Sequence, residues 1–440
     1  MQENKRLVNL WARIKAVFGK SSQESRLESR VEELWDNHYR DITQINFCEI
    51  FANRLTNYTL DGVEASVDDD AINECLQEAM KTAPKWEQMA YGIGRVYLIP
   101  YIMSNHIYTD IVAQSRVEII EKAGNDPTSI AVLADTRTKD EKWYDRWTLY
   151  EFDENAHTFS ITSKATERNG NGEVPLAVFD DWATIPPFVV ISGVERPLYA
   201  VIDCPHDNRE ADMPQGASIT FGCEQTIHEI RETLRQYANE YELKKTFVGV
   251  DSIMIDPNTG RVPDLFKTFE GHASENLFEI FSPDIRSQAY KDRLLFLFSM
   301  LEKQVGTSSG ILTPADANVG TATQVRRGVY DTQALVNKAR ASITSAMDSL
   351  CYAYDVLLSL LGVGHSSTYT IKCTFKDTML TDETERFARM IQAEQAGAIS
   401  KAELRREIYP DETVEEAQAA IEEIGKTKQI DFDPAMMVGV

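Results

Sequence analysis

Gly306-Thr307-Ser308-Ser309-Gly310-Ile311-Leu312-Thr313-Pro314-Ala315-Asp316-Ala317-Asn318-Val319-Gly320 is a run of small residues. It leads through Thr321-Ala322-Thr323-Gln324-Val325 into a helical pattern. Val336, Ala339, Ile343, Ala346, Leu350, Tyr354, Leu357 and Leu361 recur at the spacing of one helix face. A helix from Thr321 to Leu361 would span roughly 60 Å at about 1.5 Å per residue, with Gly328 as its expected bend. An average helix has only ~11–12 residues, so this one reads as a rod. The loop before it is long enough to be functional rather than a plain connector.

Working outward, a helix is expected from Glu224 to about Leu243. Its apolar residues Ile227, Ile230, Leu234, Tyr237 and Tyr241 form a narrow stripe, which suits helix against helix. Strand chemistry follows over 246–282: Phe247-Val248-Gly249-Val250, Ser252-Ile253-Met254-Ile255, the turn Asp256-Pro257-Asn258-Thr259-Gly260, and Leu277-Phe278-Glu279-Ile280-Phe281. A second helix runs from Asp284 to about Gln304. The order implies two rods with a compact β-tip between them.

Nearer the start, Glu28–Thr56 and Asp70–Gly92 carry helical spacing, with Phe47, Ile50, Phe51 and Leu55 on one face. The period then changes. Arg95–Ile102 reads as a strand, Met103-Ser104-Asn105 as a turn and His106–Val112 as the return. Val117–Ile120, Ile130–Ala134, Arg146–Phe152 and Thr158–Thr162 are shorter strand signals, punctuated by Asn169-Gly170-Asn171-Gly172. Residues 94–193 are therefore expected to be mostly antiparallel β, and 205–222 irregular. Thr368–Phe375 reads as a strand. Asp382–Ile424 reads as helical, with Ser400 and Glu403 as a capping box after Gly397 and a loosely ordered end beyond Lys426. The fold class is α+β: long helices with small antiparallel β modules.

The chain has 440 residues and a formal net charge of −24 spread along its length. That charge argues against a protein that wraps nucleic acid with Lys and Arg. It is compatible with a surface past which DNA slides. Six cysteines without CxxC spacing favour free thiols in a reducing compartment. Met1–Lys20 is too polar for a secretory signal, and no run of about twenty apolar residues offers a membrane span, so a cytoplasmic setting is expected.

Chemical motifs fail on context. Gly306-Thr307-Ser308-Ser309-Gly310 matches G-x-S-x-G, but a nucleophile elbow needs a strand before it and a helix directly after. His228-Glu229-Ile230-Arg231-Glu232 has Glu232 where a zincin helix needs its second histidine. It reads as a solvated face, with Glu229 and Glu232 balanced by Arg231 and Arg235. Cys204-Pro205-His206-Asp207 lacks a partner pair and reads as a turn. No P-loop or dinucleotide glycine motif occurs. Trp143, Tyr144 and Trp147 sit among acids and read as strand packing rather than base stacking. No catalytic residue, metal or cofactor is expected.

The order of parts resembles the portal proteins of tailed bacteriophages, of the siphophage type. Gly306–Val325 is similar to that family's Gly-Ser-Ser-Gly followed by Thr-Ala-Thr-Glu-Val. This chain departs from it at Gln324, and both residues suit a first helical turn. Ala90-Tyr91-Gly92-Ile93-Gly94 and Ala396-Gly397-Ala398-Ile399-Ser400 with Pro410-Asp411-Glu412 are similar as well. The resemblance implies a homo-oligomeric ring, typically of twelve subunits, at one capsid vertex of a virion assembled in the host cytoplasm. Double-stranded DNA would pass through its channel. The implied partners are a terminase motor, scaffold or capsid protein, and head–tail adaptors, with no membrane.

The implied parts are a wing (1–222), stem helices (223–243 and 284–305), a clip (244–283), a tunnel loop (306–320), a wing helix and strand (321–377), crown helices (378–425) and a tail (426–440). Gly306, Thr307, Ser308, Ser309, Gly310, Thr313, Asp316, Asn318 and Gly320 would line the channel, and the stripe from Ile227 to Tyr241 would pack the stem. The charge pattern agrees: an acidic wall repels phosphate, and a small loop whose one acid is Asp316 touches DNA without salt bridges. The alternatives are a non-viral helical adaptor and a serine hydrolase at Ser308.

Overall fold

The computed structural model describes residues 45–124, 126–168, 172–206, 208, 216–243, 247–250, 278–281, 285–314, 322–375, 390–409 and 412–430. The expectations for residues 28–44, Asn169–Asn171, Ser252–Gly260 and 382–389 lie outside them. The chain divides into two units, 1–375 and 376–440.

In the first unit, α1 (Phe47–Thr59) begins at Asn46, whose side chain accepts from the Glu49 N–H at 3.1 Å. Phe47, Phe51 and Leu55 are buried, as their common face requires. After β1 (Glu64–Val67), the helix expected over Asp70–Gly92 is instead two, α2 (Asp70–Met80) and α3 (Ala83–Ile93). Pro84 lies in the first turn of α3. There its missing N–H costs nothing, whereas inside a continuous helix it would break the ladder.

The β-region is antiparallel throughout its described pairs. β2 (Arg95–Met103), β3 (His106–Ala113) and β10 (Ala200–Asp203) form one sheet in the order β10-β2-β3. Ser104 and Asn105 both take positive φ, 51° and 65°, the geometry of a two-residue hairpin turn. β4 (Val117–Ala123), β5 (Asp126–Lys139), β6 (Lys142–Asp153), β7 (Thr158–Glu167) and β8 (Glu173–Val174) follow in that order in a larger sheet. β9 (Phe188–Ser192), which follows a short helix, α4 (Asp180–Ala183), also pairs with β7.

β5 runs well beyond the expected Ile130–Ala134. Past Ala134 its residues are polar and charged, so no apolar alternation marks them. Cross-strand partners hold this stretch: Thr136 donates to Asp145 at 2.7 Å, and Arg168 pairs with Asp145 at 2.7 Å.

α5 (Glu224–Leu243) and α6 (Ser287–Val305) flank the antiparallel pair β11 (Phe247–Val250) and β12 (Phe278–Phe281). α7 (Ala322–Leu361) is a forty-residue helix. β13 (Ile371–Thr374) pairs with β1, a strand absent from the sequence reading. Val336 and Ala339 of α7 pack in a core with α1, α5 and α6; Ile343 to Leu358 pack in another with α2, α3 and the β10-β2-β3 sheet. Each fully buried aliphatic there contributes about 1.5–3 kcal/mol. Arg340, between these stretches, donates to the Tyr58 and Thr59 carbonyls at 3.1 and 3.2 Å, where α1 has no further N–H to offer.

In the second unit, residues 390–395 are helical, and the chain turns out of the helix at Gly397, whose φ is 72°. Ser400 and Glu403 then form the expected capping box ahead of α8 (Lys401–Ile408). Thr413 and Glu416 cap α9 (Val414–Ile430) in the same way, at 2.8 and 3.3 Å. α9 continues past Ile424 and Lys426, because Lys426-Thr427-Lys428-Gln429-Ile430 contains no helix breaker.

Candidate functional site

α5 and α6 lie antiparallel and are cross-linked along their length. Thr226 donates to Gln304 at 2.7 Å near the base, and Arg293 reaches Glu229 at 3.0 Å and Thr233 at 3.1 Å midway. At the far end Glu240 accepts from the Arg286 backbone N–H and side chain, both at 2.9 Å. The Arg286 side chain, its backbone N–H and the Tyr290 hydroxyl together hold the Glu240 carboxyl at about 2. Glu229 is therefore matched by Arg293 of the opposite helix rather than by Arg231, which donates to the Ile45 carbonyl. Only Glu232 keeps the expected local partner, Arg235 at 2.8 Å.

The apolar stripe on α5 is graded. Ile227 and Ile230 are buried, and Leu234 packs at the edge of the core. Tyr237 meets Tyr290 at 5.0 Å between ring centroids, and Tyr241 is 62% exposed. On α6, Leu295, Phe296 and Met300 are exposed large hydrophobics. The pair is thus rooted in the core at one end and wet at the other.

The glycine loop is described over 306–314; Asp316, Asn318 and Gly320 lie outside the described residues. Gly306, at φ 81°, ends α6 in the left-handed conformation, and the Thr307 N–H returns to the Glu302 carbonyl at 2.9 Å. The Glu302 side chain, 1% exposed, points beyond the helix end into the loop. Its Oε1 accepts from the N–H groups of Gly310, Ile311, Leu312 and Thr313 at 3.2, 2.9, 2.7 and 3.1 Å. Its Oε2 accepts from the Thr313 hydroxyl at 2.6 Å. Four consecutive N–H groups make an anion cradle, and the anion is the chain's own carboxylate.

The same loop is stapled to α7. The Ser308 N–H donates to Thr332 Oγ1 at 2.8 Å, and Ser308 Oγ accepts from the Thr332 N–H at 3.4 Å. Ile311 and Leu312 pack against the core that α1, α5 and α6 share. Over 306–314 the small-residue loop is a turn wound on a buried acid. Thr307 is buried, with its hydroxyl on the Glu302 carbonyl at 3.1 Å, so its side chain has no surface to offer a channel. Ser309 is exposed.

Glu302 was missed by sequence reasoning, although one signal was there. An acid in the last turn of a helix opposes the helix dipole and needs a reason to be there. Thr332, Arg293 and Arg286 carried no signal, because their partners are distant in sequence.

Of the other candidates, Tyr144 and Trp147 are buried in the β-region, while Trp143 is exposed with Arg168 at 5.5 Å from its ring. All six cysteines are free, and burial raises the thiols of Cys48, Cys204 and Cys223. Among the described residues, no group of three or more His, Cys, Asp or Glu is placed to hold a metal ion. No helix there is long and apolar enough to cross a membrane.

No family model matches the chain, and no curated protein matches it. Among solved structures, it is similar to a chain in the neck of a native GTA particle computed with C12 symmetry. The TM-score is 0.45 and the identity 10%, over 82% of this chain and 89% of that one. It is also similar to a chain in the neck of an empty GTA particle computed with C6 symmetry. There the TM-score is 0.43 and the identity 10%, over 86% of this chain and 92% of that one.

Proposed function

We propose that this chain is a portal-type subunit of a phage-like particle. In this reading, copies assemble into a ring, typically of twelve, at one capsid vertex, and double-stranded DNA enters and leaves through the channel. The observation that carries the reading is one continuous stretch: α5, the β11–β12 pair, α6, a capped glycine loop and the forty-residue α7. The Gly-Ser-Ser-Gly and Thr-Ala-Thr-Gln-Val sequence at the head of that rod supports it, as does a net charge of −24 along a path for phosphate.

The α5–α6 pair takes the part of stem, with its wet end and β-tip turned toward head–tail adaptors. Residues 306–320 take the part of tunnel loop, with Ser309 on its described exposed surface. A terminase motor and scaffold or capsid protein are the further partners. The proposed role is mechanical; Ser308 bonds twice to Thr332, and neither Thr332 atom would serve it as a base.

Electron microscopy of the purified protein tests the assembly: rings with a central hole are expected, and their absence under every assembly condition refutes it. The loop needs its own test. Gly310 is a poor place for added bulk, because its φ of 118° and its N–H on Glu302 would both be disturbed. Ser309→Trp is expected to leave rings intact and to lower packaged or retained DNA. Normal packaging in that variant counts against a channel role. A second reading is a helical adaptor that uses exposed Leu295, Phe296 and Met300 of α6 for a partner helix. It predicts a monomer or dimer in sedimentation.

A further inference from the structure

The turn that leaves the long helix is built around one histidine. α7 ends at Leu361, and residues 362–370 lead into β13. His365 reaches back from this turn. Its Nε2 lies 2.7 Å from Asp355 Oδ1 of α7, and its Nδ1 lies 2.9 Å from the Val363 carbonyl oxygen. The side chain is 5% exposed.

Carbonyl and carboxylate oxygens only accept, and a neutral imidazole carries a single N–H. The neutral ring therefore leaves a nitrogen lone pair facing an oxygen, whereas the cation donates to both. Ser359 Oγ, 3.4 Å from Nε2, could donate to a neutral ring, but Asp355 would still face a lone pair.

Other anchors meet the same turn. Asp69, the cap of α2, accepts from the Ser366 N–H at 2.8 Å, and Asp68 accepts from the Thr370 N–H at 2.7 Å. The charged groups acting on the ring are Asp355 of α7 and Asp69 at the head of α2. Tyr369, whose hydroxyl is itself raised to about 12 by burial, stands in the field of the same Asp355. Burial alone would lower the ring's pKa. The hydrogen bonds to Val363 and Asp355, with the charges of Asp355 and Asp69, outweigh burial and raise it above the ordinary histidine value.

We propose that His365 is a proton-controlled latch. As an imidazolium it fastens the 362–370 turn to the end of the long helix; without its proton, the turn and the β1–β13 pair beyond it come free. A ring with a raised folded-state pKa stabilises the closed turn fully below its ordinary value of about 6.5. That stabilisation is lost as pH rises through the folded value.

Hydrogen–deuterium exchange of the full chain between pH 6 and 9, corrected for intrinsic exchange, tests this. Opening of peptides spanning 362–374 and 64–67 is expected to be flat below about pH 6.5. Above it, opening rises by up to about tenfold per pH unit and then reaches a plateau. Asp355→Asn is expected to move the rise to lower pH. His365→Gln is expected to remove it and leave the turn open at the plateau level. A flat wild-type profile overturns the latch, as does a rise that persists in His365→Gln. Should His365→Gln not fold, an unchanged midpoint in Asp355→Asn overturns it equally.

Discussion

Replacing Glu302 should release the glycine loop, and the amount can be worked from the cradle. The carboxylate receives four backbone N–H groups and one hydroxyl. Hydrogen bonds to a charged group are worth about 1.5–3 kcal/mol each, so a simple sum would reach roughly 7–15 kcal/mol. That sum is too high for Glu302→Ala. Residues 310–313 are only part-buried, so the freed donors can swing out to water. The loss is then capped by the cost of detaching the loop, about 3–5 kcal/mol, the range seen when one partner of a buried charged contact is removed.

Glu302→Gln has the same shape. Its carbonyl still faces the four N–H groups, and its amide can donate to Thr313 Oγ1 in place of accepting from it. Neutral acceptors bond about half as strongly as charged ones, so about half of the capped loss, roughly 1.5–2.5 kcal/mol, is expected. Urea unfolding gives the stabilities, and hydrogen exchange at Gly310–Thr313 reports the loop. The reasoning fails if Glu302→Ala loses less than about 1 kcal/mol while those amides stay protected, or if Gln is as damaging as Ala.

The remaining predictions are structural. Gly94→Ala should cost more than about 2 kcal/mol, because φ there is 107° and a Cβ would overlap the Gly216 carbonyl; a loss within thermal-melt error would refute the close approach. Glu87 of α3 is 2% exposed, its Oε2 has no hydrogen-bond partner among the described residues, and burial pushes its carboxyl to about 8. An acid raised in this way stabilises the fold most below its ordinary range. Stability should therefore fall as pH rises toward about 8, by at most about 1.4 kcal/mol per pH unit. Glu87→Gln should flatten that slope; unfolding curves with the same pH dependence in both proteins would exclude it. On the α5 stripe, measured on the unassembled chain, Ile230→Ala should cost about 2–5 kcal/mol and exposed Tyr241→Ala within about 0.5 kcal/mol. Equal losses would contradict the graded burial.

Residues whose local pattern and tertiary role coincide were legible. The α7 face from Val336 to Leu357 reads as one buried stripe and is one. The Ser400–Glu403 box is a contact three residues apart, so sequence spacing alone places it. Ser104-Asn105 closes its hairpin for the same local reason. The candidate loop was less legible. Its glycines marked it, but composition did not show what the loop winds around, because that is the side chain of an acid four residues upstream of Gly306. Glu64–Val67 carries too few apolar residues to announce a strand, and becomes one only because Ile371–Thr374 lies beside it.

By itself, then, the sequence determined where the rods lie, which side of each is apolar, and that a small β-tip separates two of them. These follow from periods of two and 3.6 residues, which the chain carries locally. The tertiary structure decided what those sides meet. It placed Arg293 on Glu229, gave the loop's N–H groups to Glu302, and set His365 between Asp355 and Val363. The pairings that join α5 to α6 and the loop to α7 bridge residues far apart in the chain. Buried charge and unpaired backbone donors are costly enough to be settled by whichever partner the packing brings near.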